Sequence, residues 1–275
     1  MYLCSMSYHS LENKILQHLR RFKLLHEDER VLIAISGGLD STVLLHLLHR
    51  LHFHCGVAHC NFQLRGEEST EDARFCEELA DGLNVPFFST AFATEKYAAE
   101  KKISTQMAAR ELRYQWFTKL IADHGYTALA TAHHSGDQAE TILLRLTDGK
   151  SAESLRGIPH RNGVIIRPLL HCSKEELHQY AIDKNIRWRE DHTNELNTYK
   201  RNYIRHEILP RLKTIAPATE TSLLTFAARN HEWNLLAEES IRRILSTCME
   251  EMNTMIVIHL QTILGHPAAC TILWK

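Results

Sequence analysis

The chain has 275 residues, 44% of them hydrophobic and 24% charged, with a formal net charge of −1. That length holds one large domain or two modest ones with a proper core, and near-neutrality excludes a polybasic nucleic-acid tail. Seven cysteines without a CxxC pair fit neither a disulfide framework nor a zinc ribbon and point to a reducing, cytoplasmic compartment. No run is long enough to span a bilayer, so no membrane is expected, and the N-terminus reads as an amphipathic helix rather than a secretion signal.

Strand and helix alternate along the chain. "RVLIAIS" (30–36) reads as a buried strand and 41–52 as a helix. A second strand follows at 54–60, then a helix with Ser69 as N-cap and Asp72 in its first turn. A strand is expected at 85–90, a long helix at 105–123 stopped by Gly125, and a strand at 126–132. Next come a helix at 136–146, a strand at 163–170, and a helix capped by Ser173. Strands buried on both faces that alternate with helices imply an α/β fold, a parallel sheet sandwiched by helices. From 217 to 250 the text is helix only, so a small helical C-terminal appendage is expected. The division is 1–216 for the α/β domain and 217–275 for a helical region that is short or truncated.

In such a sheet the ligand site lies off the carboxyl ends of the strands. "AISGGLDSTVLL" (34–45) places Gly37 and Gly38 at the first such end, with a helix start aimed at the same space. An anion, most simply phosphate, would sit there without any lysine. The loop is neither GxxxxGK[ST] nor GxGxxG. Asp40 would repel a bare phosphate and makes sense if it holds a Mg²⁺ that bridges to it. The plainer reading is a strand-to-helix turn with Asp40 as a cap.

Ser36-Gly37-Gly38-Leu39-Asp40-Ser41 matches SGGxDS, the signature by which the chain resembles the N-type ATP pyrophosphatases, or PP-loop superfamily. "AHCNFQLRGEES" (58–69), "AARELRY" (108–114), "TAHHSGDQAETILLRL" (131–146), "RPLL" (167–170), "EDHTN" (190–194) and "RNYIRHEILPRL" (201–212) resemble, in order, blocks of the tRNA(Ile)-lysidine synthases. Phe62 and Gln63 depart from that pattern, standing where His and Gly are usual, and Cys60 replaces an aliphatic residue. Asp148, Ser151 and Ser154 impoverish a loop that is glycine-rich in the family, so a stiffer loop is expected.

The resemblance implies an adenine nucleotide alpha hydrolase-like, Rossmann-like fold that cleaves ATP between its α and β phosphates. O2 of the wobble cytidine (position 34) of tRNA(Ile) with a CAU anticodon would attack the α-phosphate. The amine of L-lysine would then displace AMP from C2 to give lysidine, so that the tRNA reads AUA. Ser36 to Ser41 would cradle pyrophosphate, with Asp40 as the metal ligand. Catalytic roles fall to Asp40, Arg110, Arg113, Asp137 and Glu140, and substrate contacts to His59, Asn61, Arg65, His133, Arg201 and Arg205. A homodimer is left open. A sulfur-transferring tRNA enzyme and a silent RNA-binding module are the rival readings.

Read on their own, the same residues keep alternatives open. Arg110 and Arg113 share a helical face and either clamp phosphates or pair with Glu111 or Glu100 as a surface stripe. Asp137 and Glu140 share a face in a first turn, as dipole complements or as a site for an ammonium. His133 and His134 are buried neutral imidazoles or site residues. Arg201 and Arg205 share one helical face, and lysines and arginines outnumber acids from 187 to 213, which makes either a solvated face or a basic strip for RNA or a bound nucleotide. Asp191 and Asn194 read as loop-ordering caps.

Overall fold

The computed structural model describes residues 10–64, 66–190, 199–252 and 255–273. Helix α1 (Ser10–Arg21) leads into β1 (Arg30–Ile35), α2 (Leu39–Arg50), β2 (His54–Asn61), α3 (Glu67–Gly82), β3 (Phe87–Ala91), α4 (Thr94–Lys101), α5 (Thr105–His124), β4 (Ala128–Ala130) and α6 (Ser135–Thr147). After a 3₁₀ turn come β5 (Arg161–Asn162), β6 (Ile165–Ile166), α7 (Lys174–Asp183), α8 (Tyr199–Tyr203), α9 (Leu209–Ile215) and α10 (Thr219–Cys248). A hairpin of β7 (Met249–Met252) and β8 (Met255–Ile258) precedes α11 (Leu260–Leu264) and α12 (Ala269–Leu273).

The main sheet has the order β3-β2-β1-β4-β6-β5, parallel except for β5 against β6. Alternation along β1 sends Val31, Ile33 and Ile35 into one core and Leu32 into the other. The first core gathers Leu11, Ile15 and Leu19 of α1, the apolar run of α2, and Leu177, Tyr180 and Ala181 of α7. The second gathers Phe117 and Leu120 of α5 with Tyr126 and Leu129. Glu12, 1% exposed, ties that first layer together, accepting from Arg50 Nε and Tyr180 Oη, each at 2.7 Å.

The chain runs outward from β1 to β3 and then returns to place β4 on the other side of β1. The strand order therefore reverses between β1 and β4, and a crevice opens at their carboxyl ends. The loops 36–41 and 131–135 flank that crevice.

Several boundaries differ from the sequence expectations. Helix α3 starts at Glu67 after Gly66, so Ser69 lies inside its first turn rather than at its cap. Helix α4 was not expected. The strand expected at 163–170 is only Ile165–Ile166, hairpinned to Arg161–Asn162 through Gly163 at φ 58°, and Pro168 lacks the amide that would extend the ladder. The C-terminal region is not helix alone: β-branched Ile256, Val257 and Ile258 pair as a strand with 249–252. Helix α10 is welded to α6 and α9, where Leu223 packs on the cluster of Ala139, Ile204 and Leu209. Arg65, Asp191 and Asn194 lie outside the described residues.

Candidate active site

At the end of β1, Gly37 has φ 85°, which a side chain resists, and a Cβ there would press on Phe75 and Cys76 at 3.3 and 3.4 Å. The loop's hydroxyls turn inward. Ser41 Oγ accepts from the Ser36 amide and donates to the Gly38 carbonyl, both at 3.1 Å, and Thr42 Oγ1 donates to the Gly37 carbonyl at 3.3 Å. From the far side the Arg189 amide donates to the same Gly37 carbonyl at 2.9 Å, while its guanidinium pairs with Asp72 at 2.6 Å. Gly38 caps α2 without any side-chain acceptor, so the first amides of this helix face the crevice uncapped. Asp40 is the second residue of α2 and not its cap.

Asp40 Oδ1 is buried and has no hydrogen-bond partner among the described residues, while Oδ2 lies 3.7 Å from His134 Nε2. Burial raises the Asp40 pKa, with His134 and Lys174 pulling the other way. His134 caps α6: its Nδ1 accepts from the Gly136 amide at 3.0 Å, and its own amide donates to Asp137 Oδ2 at 3.0 Å. An accepting Nδ1 puts the ring proton on Nε2, the nitrogen 3.7 Å from Asp40 and 3.8 Å from Asp137. His133 bonds Thr131 Oγ1 through Nδ1 at 3.0 Å, and burial lowers its pKa to about 4, so it is neutral.

Asp137 and Glu140 meet Arg201 and Arg205. Arg201 donates from Nε to Glu140 at 2.7 Å and from Nη2 to Asp137 at 2.9 Å. Arg205 donates from Nε to Glu140 Oε1 at 2.5 Å and from Nη2 to Glu140 Oε2 at 3.0 Å, and reaches Asp137 at 3.4 Å. Burial by itself would raise the Asp137 pKa. His134, His133, the His134 amide and Arg201 outweigh it and hold the carboxyl below its ordinary value. Arg205 sits on a single wide helical turn, Ile204–Ile208, in which the Leu209 amide bonds the Ile204 carbonyl. Pro210, which cannot donate to the preceding turn, accounts for that widening.

The basic strip read from the sequence is therefore largely neutralised within the fold. Besides the two site arginines, Lys200 pairs with Asp148 at 3.0 Å, Arg211 with Glu207 at 3.1 Å and Lys213 with Glu220 at 2.6 Å. Arg110 and Arg113 behave in the opposite way. Among the described residues neither has a carboxylate partner; Arg110 lies over the Tyr114 ring and Arg113 over the Phe62 ring, both at 5.0 Å. Glu111, the expected surface partner, instead accepts from Tyr97 Oη at 3.1 Å.

At the end of β2, buried His59 bonds the Ile35 carbonyl through Nδ1 at 3.1 Å. Asn61 holds the following loop, donating to the Ser69 carbonyl and accepting from the Gln63 amide. Sequence reasoning missed Lys174, which acts electrostatically on Asp40 from the first turn of α7, and Arg189, which closes the Gly37 loop. Lys174 follows the recognised cap Ser173, a signal that α7 also opens toward the crevice. Arg167 stands in the sequence reading only within "RPLL"; it is buried, donates to the Pro159 carbonyl at 2.6 Å, and its Nε has no partner among the described residues.

The PP-loop domain family matches residues 7–212. A tRNA(Ile)-lysidine synthase from Porphyromonas gingivalis is 45% identical over 217 residues, which are 78% of this chain and 48% of that protein. One from Bacteroides thetaiotaomicron is 37% identical over 262 residues, covering 94% of this chain and 60% of that protein. The chain thus spans about half the length of the curated relatives it matches. Among solved structures, a U34-tRNA thiolase from Methanococcus maripaludis superposes with a TM-score of 0.63 at 16% identity, over 80% of this chain and 78% of that one. At that identity the likeness speaks for the fold.

Proposed function

Since the chain belongs to the PP-loop family, we propose that it ligates L-lysine to C2 of the wobble cytidine of tRNA(Ile) with a CAU anticodon, consuming ATP and releasing AMP and pyrophosphate. One observation carries this reading. The loop 36–41 with Asp40 and the acidic pair Asp137 and Glu140 flank one crevice, joined by His134 at 3.7 and 3.8 Å. Similarity to lysidine synthases supports the substrate assignment. Residues 1–216 are the catalytic domain in this reading, and 217–275 a mainly helical region with one hairpin beside it.

The uncapped first amides of α2, Leu39 and Asp40, hold the departing pyrophosphate as helix N-termini hold anions, and the Gly38 amide and the Ser36 and Ser41 hydroxyls join them by giving up their contacts within the loop. A Mg²⁺ fits the orphaned Asp40 Oδ1, since a buried carboxylate oxygen without a partner calls for a cation. Once bound, the ion neutralises charge on the phosphates. Arg110 and Arg113, without a carboxylate partner among the described residues, bring guanidinium forks to the same charge. The cytidine O2 attacks the α-phosphate, and the adenylated base then carries AMP as a leaving group.

Lysine's amine, with a reference pKa of about 10.4, must lose a proton before it attacks C2. Asp137 is held ionised and has three hydrogen bonds, two at Oδ1 and one at Oδ2. A carboxylate has roughly four acceptor positions, so one remains at Oδ2, the oxygen on the side of His134 and Asp40. The incoming ammonium docks there without breaking the Arg201 and Arg205 contacts. His133 and His59 line the approach to the base.

Sulfur transfer finds less support. Burial pushes the thiols of Cys55, Cys60, Cys76 and Cys172 up to about 12, which keeps them as poor nucleophiles. The test is incubation with the CAU-anticodon tRNA, ATP and labelled lysine, followed by nucleoside analysis. Labelled lysidine is expected; ATP consumption with no lysine in the nucleosides overturns the substrate assignment.

A further inference from the structure

We infer that Phe62 is a positioning residue for Arg113, holding its guanidinium by the ring face so that its N–H donors stay available for phosphate. This deepens the reading above and rests on Arg113 contacting the nucleotide. The Arg113 guanidinium carbon stands 5.0 Å from the Phe62 ring centroid, and among the described residues no carboxylate competes for it. A guanidinium on an aromatic face is attracted by the ring quadrupole and keeps all five donors, whereas one paired with a carboxylate gives two of them up. Arg201 and Arg205 are the contrast within this molecule, since their forks are committed to Asp137 and Glu140.

Phe62 is itself anchored. Its ring stacks on Phe92 at 5.7 Å and 24°, and Phe92 meets Trp116 edge-on at 6.3 Å and 83°. Trp116 lies against buried Phe117 at 5.5 Å, so the ladder runs from the core to Arg113. Thr94 Oγ1 donates to the Phe62 carbonyl at 2.9 Å and pins the backbone as well. An arginine has several rotatable bonds, and a rigid ring face removes part of the entropy lost when it engages a phosphate.

The experiment measures binding of Mg²⁺ with α,β-methylene-ATP, together with KM for ATP and kcat, in wild type, Phe62→Leu, Phe62→Trp, Arg113→Ala and the Phe62→Leu/Arg113→Ala double variant. Phe62→Leu is expected to weaken nucleotide binding about three- to five-fold and raise KM more than it lowers kcat, with Phe62→Trp at or near wild type. In the Arg113→Ala background the leucine substitution is expected to add nothing, a coupling that a role in packing alone does not produce. If Arg113→Ala weakens binding while Phe62→Leu does not, or if the two effects multiply, the positioning role is overturned and the nucleotide reading stands. If Arg113→Ala leaves binding unchanged, the phosphate contact of Arg113 falls, and the positioning role with it. Phe62→Met, of similar volume and without a π face, takes the place of the leucine variant should that one unfold.

Discussion

Helices α6 and α7 begin with a similar local device and end up in different surroundings. In α7, Ser173 Oγ accepts from the Glu176 amide at 3.2 Å and Glu176 accepts from the Ser173 amide at 2.8 Å. In α6, Asp137 likewise accepts from the His134 amide, but the His134 imidazole accepts from the Gly136 amide rather than from that of Asp137. Glu176 then faces half-exposed Lys14 at 2.7 Å, an outward ion pair that carries little. Asp137 instead lies beneath two arginines and beside a second buried carboxylate. A capping motif settles where a helix starts; the layer packed over it settles whether the capping carboxylate is a surface charge or a buried, paired one.

The contrast is tested hardest by Arg205→Ala. Glu140 is 2% exposed, and withdrawing a guanidinium from a buried carboxylate typically costs 3–5 kcal/mol. With Arg201 still attached, a loss of about 3 kcal/mol is expected from urea unfolding. A loss of a few tenths would mean that Glu140 is satisfied without Arg205. The matching change at α7, Glu176→Gln, is expected to cost under about 1 kcal/mol.

Asp137→Asn keeps the cap geometry and removes the charge. Its kcat/KM for lysine is expected to fall about 100-fold, near 2.7 kcal/mol, with the KM for ATP changed far less. Equal effects on both substrates would take lysine away from Asp137.

A second group of histidines shows what burial does where it outweighs the nearby carboxylate, Glu176, which acts on His171. His18 stacks on His171 at 3.9 Å and meets His160 at 4.8 Å, and Lys14 and Arg21 add positive charge nearby. Burial lowers His18 to about 2 and His160 and His171 to about 4. Because these folded values lie below the unfolded 6.5, the unfolded state binds the protons first. Stability from the cluster is therefore complete above about pH 6.5 and falls as pH drops toward 4, by at most about 1.4 kcal/mol per pH unit for His18 alone. Melting curves between pH 7 and 5 measure this slope, and His18→Phe is expected to flatten it. A wild-type slope of zero would mean that the cluster is not neutral in the fold.

The smallest effect is at the plain cap. Ser173→Ala is expected to cost about 1 kcal/mol of stability and leave lysine transfer intact. A loss of activity larger than the loss of stability would bring the start of α7 into the chemistry through Lys174.

Much of this was legible in one dimension. The parallel sheet followed from buried strands alternating with helices, and the place of the crevice from the rule that ligands sit off strand ends such as the one at 36–41. What failed was local competition: Gly163 and Pro168 reduced an apolar run at 163–170 to a two-residue strand, and Ile256 to Ile258 took a strand where helix was expected. The overlooked residues, Lys174, Arg189 and Arg167, belong to segments recognised for other reasons.

The sequence alone determined the loop after β1, whose glycines and hydroxyls act within six residues, and the shared helical faces of Asp137 with Glu140 and of Arg201 with Arg205. Those are matters of backbone conformation and of 3.6 residues per turn, settled within a helical turn or two. Only the tertiary structure decided that the two pairs neutralise one another across 61 to 68 residues of chain, and that Arg113 leans on a ring rather than on an acid. Charges so far apart in sequence meet only after the sheet and its helices have packed, so their partners are set by that packing and by the desolvation it brings.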